Sequence, residues 1–181
     1  MRVVFYLLSI VMANVLTAKF APITLGALII PVGSFLIGAT FIFRDIVQNK
    51  YGRAKTYGFI SLALVISAIV SYMLGDTLFV VFASAVSFLV AETSDTEIYT
   101  RLKLPMTLRV LYSGVVGGVL DSVIFVILGL SPLGAGFLPW EVVPYAIIGQ
   151  VLTKILMQAI GALILSQALK VEKFKDVIMA K

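Results

Sequence analysis

Cysteine and histidine are both absent from the 181 residues. Without cysteine there is no disulfide, no thiol nucleophile and no thiolate metal site. Without histidine, the commonest metal ligand and the usual proton shuttle are missing as well. No Walker-type phosphate loop, GxGxxG fingerprint or nucleophile with a partnering base occurs in the chain. An enzyme would have to build its site from Asp, Glu, Lys and Tyr alone, so the chain is read as a non-enzyme, with no catalytic residue, metal or cofactor assigned. Charge is scarce too: 13% of the residues are charged and 61% hydrophobic, with a mean hydropathy of +1.11. A soluble domain carries about 25% charged residues. These figures imply an all-α, polytopic membrane protein. The net charge of +5 is concentrated in a few loops, as membrane orientation requires, which argues against nucleic acid as a partner.

Crossing the hydrocarbon takes roughly 20 helical residues at 1.5 Å each. Six segments approach that length: Val3 to Ala21, Leu28 to Phe43, Thr56 to Leu74, Thr77 onward, Arg109 to Leu130, and Val142 to Leu169. The fourth ends either near Ala91 or near Leu102, and the absence of any breaker before Arg101 favours the longer helix. Residues 1–181 are thus expected to form one six-helix transmembrane domain, its lysine-bearing tail lying on the membrane surface. The first segment has no clear cleavage site and is taken as a membrane helix, not a signal peptide.

The stretch Phe41 to Tyr57, FIFRDIVQNKYGRAKTY, reads as a charged hairpin between the second and third helices. It carries Arg44, Lys50, Arg53 and Lys55 against Asp45. Short basic loops remain in the cytoplasm, so this hairpin sets the direction of every helix. Twelve of the fourteen basic residues then fall on the cytoplasmic side, together with both termini. Lys19 and Lys154 are the two exceptions, inside helices. Lys19, near an outer helix end, is read as snorkelling to the interface.

Ionisable side chains within a membrane face a cavity or a partner, because lipid exposure costs several kcal/mol, on the order of 3 at the helix centre. Asp121 and Lys154 come out at similar depth on the fifth and sixth helices, close enough to pair. Gln150, Lys154 and Gln158 share one face of the sixth helix at intervals of four residues. Ser113, Gly114, Gly117, Gly118 and Asp121 make a small and polar face on the fifth, a pattern of close helix packing. Asn14 lies on the first helix, and Glu92 and Asp95 on the longer form of the fourth. The candidate substrate-binding residues are therefore Asn14, Glu92, Asp95, Asp121, Gln150, Lys154 and Gln158. Carboxylates and amides of this kind suit a planar molecule rich in hydrogen-bonding groups. Plain interhelical hydrogen bonding would account for the same residues without a ligand.

Three stretches together resemble one family. TFIFRDIVQNKYGRAKT, with Thr40, Phe41, Asp45, Tyr51 and Gly52, is similar to the signature of the VUT family, the YhhQ-type queuosine-precursor transporters. ASAVSFLVAETSDTEIYTRL resembles its fourth helix through Ala83, Ser84 and Asp95, and RVLYSGVVGGVLDSVIF its fifth through Arg109, Ser113, Asp121 and Phe125. The resemblance implies import of a 7-deazaguanine base, 7-cyano-7-deazaguanine (preQ0) or its aminomethyl form (preQ1), across a prokaryotic inner membrane. It leaves the driving force open, and a homodimer compatible with the plan. A different reading keeps the six helices as the substrate-binding S component of an energy-coupling-factor importer for a purine-like or vitamin ligand. A third is a scaffold whose buried polar groups satisfy one another with no cavity among them.

Overall fold

The computed structural model describes residues 2–171. Six long α-helices are present: α1 Arg2–Lys19, α2 Ser34–Tyr51, α3 Arg53–Met73, α4 Leu78–Arg101, α5 Met106–Phe125 and α6 Val143–Ala168. A π-helical turn, Val126–Leu130, continues α5, and two short strands, β1 Ile23–Leu25 and β2 Leu28–Ile30, join α1 to α2. The surface-lying tail expected around Lys173, Lys175 and Lys181 lies outside the described residues.

Five helices are long and apolar enough to cross a membrane: α1, α3, α4, α6 and the helix formed by α5 with its π turn. α2 has the same 18 residues as α1 but carries Arg44, Asp45 and Lys50. The bundle is apolar on the outside and polar within. Phe5, Leu8, Val65, Ile69, Phe82, Leu156 and Leu163 are exposed, whereas Arg44, Asp45, Glu92, Asp95, Lys154 and Gln158 are buried. That inversion is expected where the surrounding solvent is hydrocarbon and polar groups must be satisfied internally.

The second helix starts and ends later than its sequence suggests. Leu28–Ile30 is a strand paired antiparallel with Ile23–Leu25, turning at Gly26 with φ of 60°. Proline has no N–H and restricts the residue before it to extended backbone, so the helix begins only beyond Pro31. At the other end nothing interrupts it before Gly52, whose φ of 80° is the left-handed conformation that glycine tolerates. The expected charged hairpin is thus helical on both sides of Gly52, and Arg44 and Asp45 lie in the core instead of a loop. The fourth helix takes its longer form, through Arg101.

The consecutive helices α1 and α2 run in opposite directions. Tyr6 and Ile10, early in α1, pack with Val47, late in α2, while Gly33 just before α2 lies against Ala13 and Thr17 of α1. Tyr99, Met106, Val110 and Leu165 form an apolar cluster near the Arg53 end. Val126, Val143 and Ala146 form another beneath the strand hairpin. Between these clusters, glycines let helices approach closely. A Cβ on Gly118 would stand 3.3 Å from Lys154 Cβ, and one on Gly117 3.3 Å from both Phe41 and Asp95. Small residues on α5 thus bring α2, α4 and α6 together around the middle of the bundle.

Candidate functional site

A cavity of about 300 Å³ runs through the half of the bundle nearest the strand hairpin. Pro22, Pro31, Asp76 and Phe137 surround it at the hairpin end, and Glu92 and Asp121 lie deepest. Its walls carry hydroxyls from Thr17, Ser34, Thr40, Ser67, Ser71, Ser84 and Ser87, and aromatic rings from Phe41, Phe88 and Phe125. Small-molecule sites occupy about 300–1,000 Å³ and combine apolar walls with a few fixed polar groups. The cavity falls at the lower end of that range.

Four of the seven candidate residues line it: Asn14, Glu92, Asp121 and Gln150. Asn14 Nδ2 donates to Ser67 Oγ at 2.9 Å, joining α1 to α3. Gln150 presents its Oε1 to Lys154 Nζ at 3.4 Å, leaving its buried Nε2 without a hydrogen-bond partner. An unpaired amide donor in a cavity wall costs about 1–3 kcal/mol, a penalty that a ligand acceptor would relieve.

Lys154 stands directly behind the wall. Its Nζ donates to Asp121 Oδ2 at 2.6 Å and to Ser122 Oγ at 2.8 Å. The lysine is 2% exposed and the aspartate 13%. This is a one-to-one ion pair with neutral support, linking α5 to α6 and turning its carboxylate toward the cavity. Gln158 does not join the site: its Nε2 donates to the Val110 carbonyl at 2.6 Å, stitching α6 to α5 further toward the Arg53 end. Lys19 is exposed at the end of α1 and does not line the cavity.

Asp95 is likewise outside the cavity, behind Glu92 in a second ionic group. Arg44, completely buried, lies within ion-pair distance of three acids. Its Nη2 is 3.2 Å from Asp45 Oδ1 and also contacts Asp95 Oδ2, and its Nε is 3.3 Å from Glu92 Oε2. Nη1 donates to Thr96 Oγ1 at 2.8 Å and to Gln48 Oε1 at 3.2 Å. Gln48 Nε2 continues to Thr100 Oγ1 at 2.8 Å. This network packs α2 against α4 and closes the bundle between the cavity and the Arg53 end. There, Arg53 meets Glu97 at 2.5 Å and Arg101 meets it at 3.3 Å, both pairs exposed.

Sequence reasoning did not name Arg44 as a site residue, because it was placed in a loop. A signal was nevertheless present: Phe41, Arg44, Asp45 and Gln48 recur at the i, i+3, i+4, i+7 spacing of one helical face. The cavity-lining hydroxyls and phenylalanines had no comparable signal, since scattered Ser and Phe are ordinary in membrane helices.

Comparison with curated proteins and with solved structures gave no match. The model of one protein family, described as "Putative vitamin uptake transporter", matches residues 70–168. That stretch runs from the end of α3 to the end of α6 and contains Glu92, Asp95, Asp121, Gln150, Lys154 and Gln158. With more than half of its length matched, and with a polar cavity inside an apolar bundle of helices, the chain belongs to this family of vitamin uptake transporters.

Proposed function

We propose that the protein imports a queuosine precursor, 7-cyano-7-deazaguanine or its aminomethyl analogue, through the cavity enclosed by the six helices. The observation that carries this reading is the set of groups on the cavity wall away from the hairpin end: the carboxylates of Glu92 and Asp121 and the amides of Asn14 and Gln150, among phenylalanine rings, with a third carboxylate, Asp76, at the hairpin end. A 7-deazaguanine is flat, with ring N–H and exocyclic amine donors beside a carbonyl acceptor. Glu92 and Asp121 accept from the donors, the unpaired Nε2 of Gln150 donates to the carbonyl or a ring nitrogen, and Phe41 or Phe125 covers the ring face. Lys154 fixes Asp121, and Asp95 and Gln158 hold the surrounding helices, so these three act behind the ligand and not on it.

In this reading residues 1–181 form one transporter domain of six spans, α2 included, in a prokaryotic inner membrane. The basic Arg53 end faces the cytoplasm, along with both termini. The charges of α2 do not prevent it from spanning, because they are covered by α4 and turned away from lipid. The cavity then opens outward, and the Arg44 network is the barrier to the cytoplasm.

The test is uptake by the purified protein in liposomes, with each labelled base supplied at low concentration. Entry that saturates, and that unlabelled preQ0 or preQ1 suppresses while adenine does not, is the expected result. High-affinity binding with no entry would instead identify a binding subunit that needs a partner ATPase. Neither binding nor entry would remove the 7-deazaguanine from the mechanism.

A further inference from the structure

The Arg44 group is unbalanced, and the imbalance has a size. Asp45, Glu92 and Asp95 are each no more than 1% exposed, and all three lie against the same guanidinium. Among the described residues the next cation is Arg109 on α5, stacked 4.4 Å over the Tyr99 ring on the side of Asp45. The groups facing Glu92 are Tyr6 on α1, Arg44 and Asp45 on α2, Asp95 on α4 itself and Asp121 on α5. Asp121 is already neutralised by Lys154 of α6. Two guanidiniums therefore serve three carboxylates. An uncompensated buried charge is strongly unfavourable, so among the described residues the group is one positive charge short of a stable arrangement.

Two further features say what supplies that charge, and where. Among the described residues, no three acids converge in a geometry that could hold a metal ion. The Glu92 carboxylate meets Arg44 through Oε2, and the buried Tyr6 hydroxyl stands beside it as a hydrogen-bonding neighbour. Of the three acids only Glu92 also lines the cavity, and its Nε contact of 3.3 Å is the longest that Arg44 makes to the three. We infer that Glu92 is a proton-binding site that couples substrate import to proton entry.

The step is a simple addition: the Glu92 carboxylate takes one proton from the outer solution, relayed through the cavity, and becomes a neutral acid, leaving two carboxylates to two guanidiniums. As an acid, Glu92 has one acceptor oxygen and one O–H donor. That pair matches the edge of a lactam, in which a ring N–H stands next to a carbonyl, so proton and substrate occupy the site together. Opening of the Arg44 network on the Arg53 side exposes Glu92 to the other compartment, where the proton leaves with the substrate. The inference rests on the import reading for its substrate but not for its proton site.

Two measurements on the intact protein test it separately. The infrared spectrum at neutral pH, with no substrate present, should contain the carbonyl band of a protonated carboxyl buried from water. It should vanish in Glu92→Gln, shift in Glu92→Asp and persist in Asp45→Asn. No such band, or one lost only in Asp45→Asn, overturns the assignment whatever the substrate is. In liposomes, an outside-acid gradient should drive accumulation of the labelled base by about tenfold per pH unit for one proton carried per substrate. Glu92→Gln should fill no further than equal concentrations with or without the gradient. Wild-type entry that ignores the gradient overturns coupling while leaving import intact. No entry by wild type, with the infrared band present, rejects the substrate and keeps the proton site.

Discussion

Two buried ionic groups sit a few turns apart in this bundle and are built on different terms. Lys154 and Asp121 are matched one to one, with Ser122 and Gln150 taking the remaining lysine contacts and a partly open carboxylate reaching the cavity. Arg44 is surrounded by Asp45, Glu92 and Asp95, all buried, and of the three only Glu92 borders the cavity. The first group is neutral as a whole, with one edge at the cavity. The second has more carboxylates than cations around it, and in the reading above Glu92 is the member that takes up a proton. A balanced pair is a strut, and an unbalanced cluster is a place where charge has to come and go.

Removing the cation separates the two groups most sharply. Arg44→Met leaves three buried carboxylates without their shared partner and strands the Thr96 and Gln48 contacts, so it should destabilise by about 3–5 kcal/mol or more. Thermal unfolding in detergent should show the largest loss of any variant here. Lys154→Met removes the donor to Ser122 and Gln150 and strands one charge, Asp121, which can be hydrated from the cavity, and a smaller loss of about 2 kcal/mol is expected. The double variant Lys154→Met with Asp121→Asn should recover much of that stability without recovering uptake. If the two changes were simply additive, the pair would not be a unit.

A smaller effect tests the packing that brings both groups together. A Cβ on Gly38 would press on Met157 and stand 3.3 Å from the Lys154 carbonyl, so Gly38→Ala should push α2 from α6. Overpacking of this kind costs about 1–3 kcal/mol, and the melting temperature should fall accordingly. Lys19→Met sits at the bottom of the scale. The side chain is exposed and away from both groups, and unchanged melting and uptake are expected. A clear loss of uptake there would mean that the substrate path extends along the outer end of α1.

Much of this was legible in the residues. The apolar runs of α1, α3, α5 and α6 announce themselves, and no breaker stands between Ala91 and Arg101 to stop α4. Asp121 and Lys154 could be matched by counting helical rise from opposite ends of two helices. The second helix was misplaced because a hydropathy scan treats Arg44 and Asp45 as the end of a span. A charged side chain carries no mark in the sequence to say that another helix will cover it. Gln158 was grouped with Gln150 and Lys154 because they share a face, yet the three lie two turns apart in height, and only Gln150 reaches the cavity.

Composition and hydrophobic pattern determined the solvent and the kind of element, since a chain this apolar must satisfy its backbone within helices when water is absent. Charge distribution along the chain set the expected orientation for the same local reason. Which acids surround Arg44, which polar groups border a void and which merely tie helices together were decided by tertiary packing alone. Those outcomes depend on how α2, α4 and α5 close on one another across glycines, a relation among residues as far apart in the chain as Phe41 and Gly118 that no local periodicity encodes.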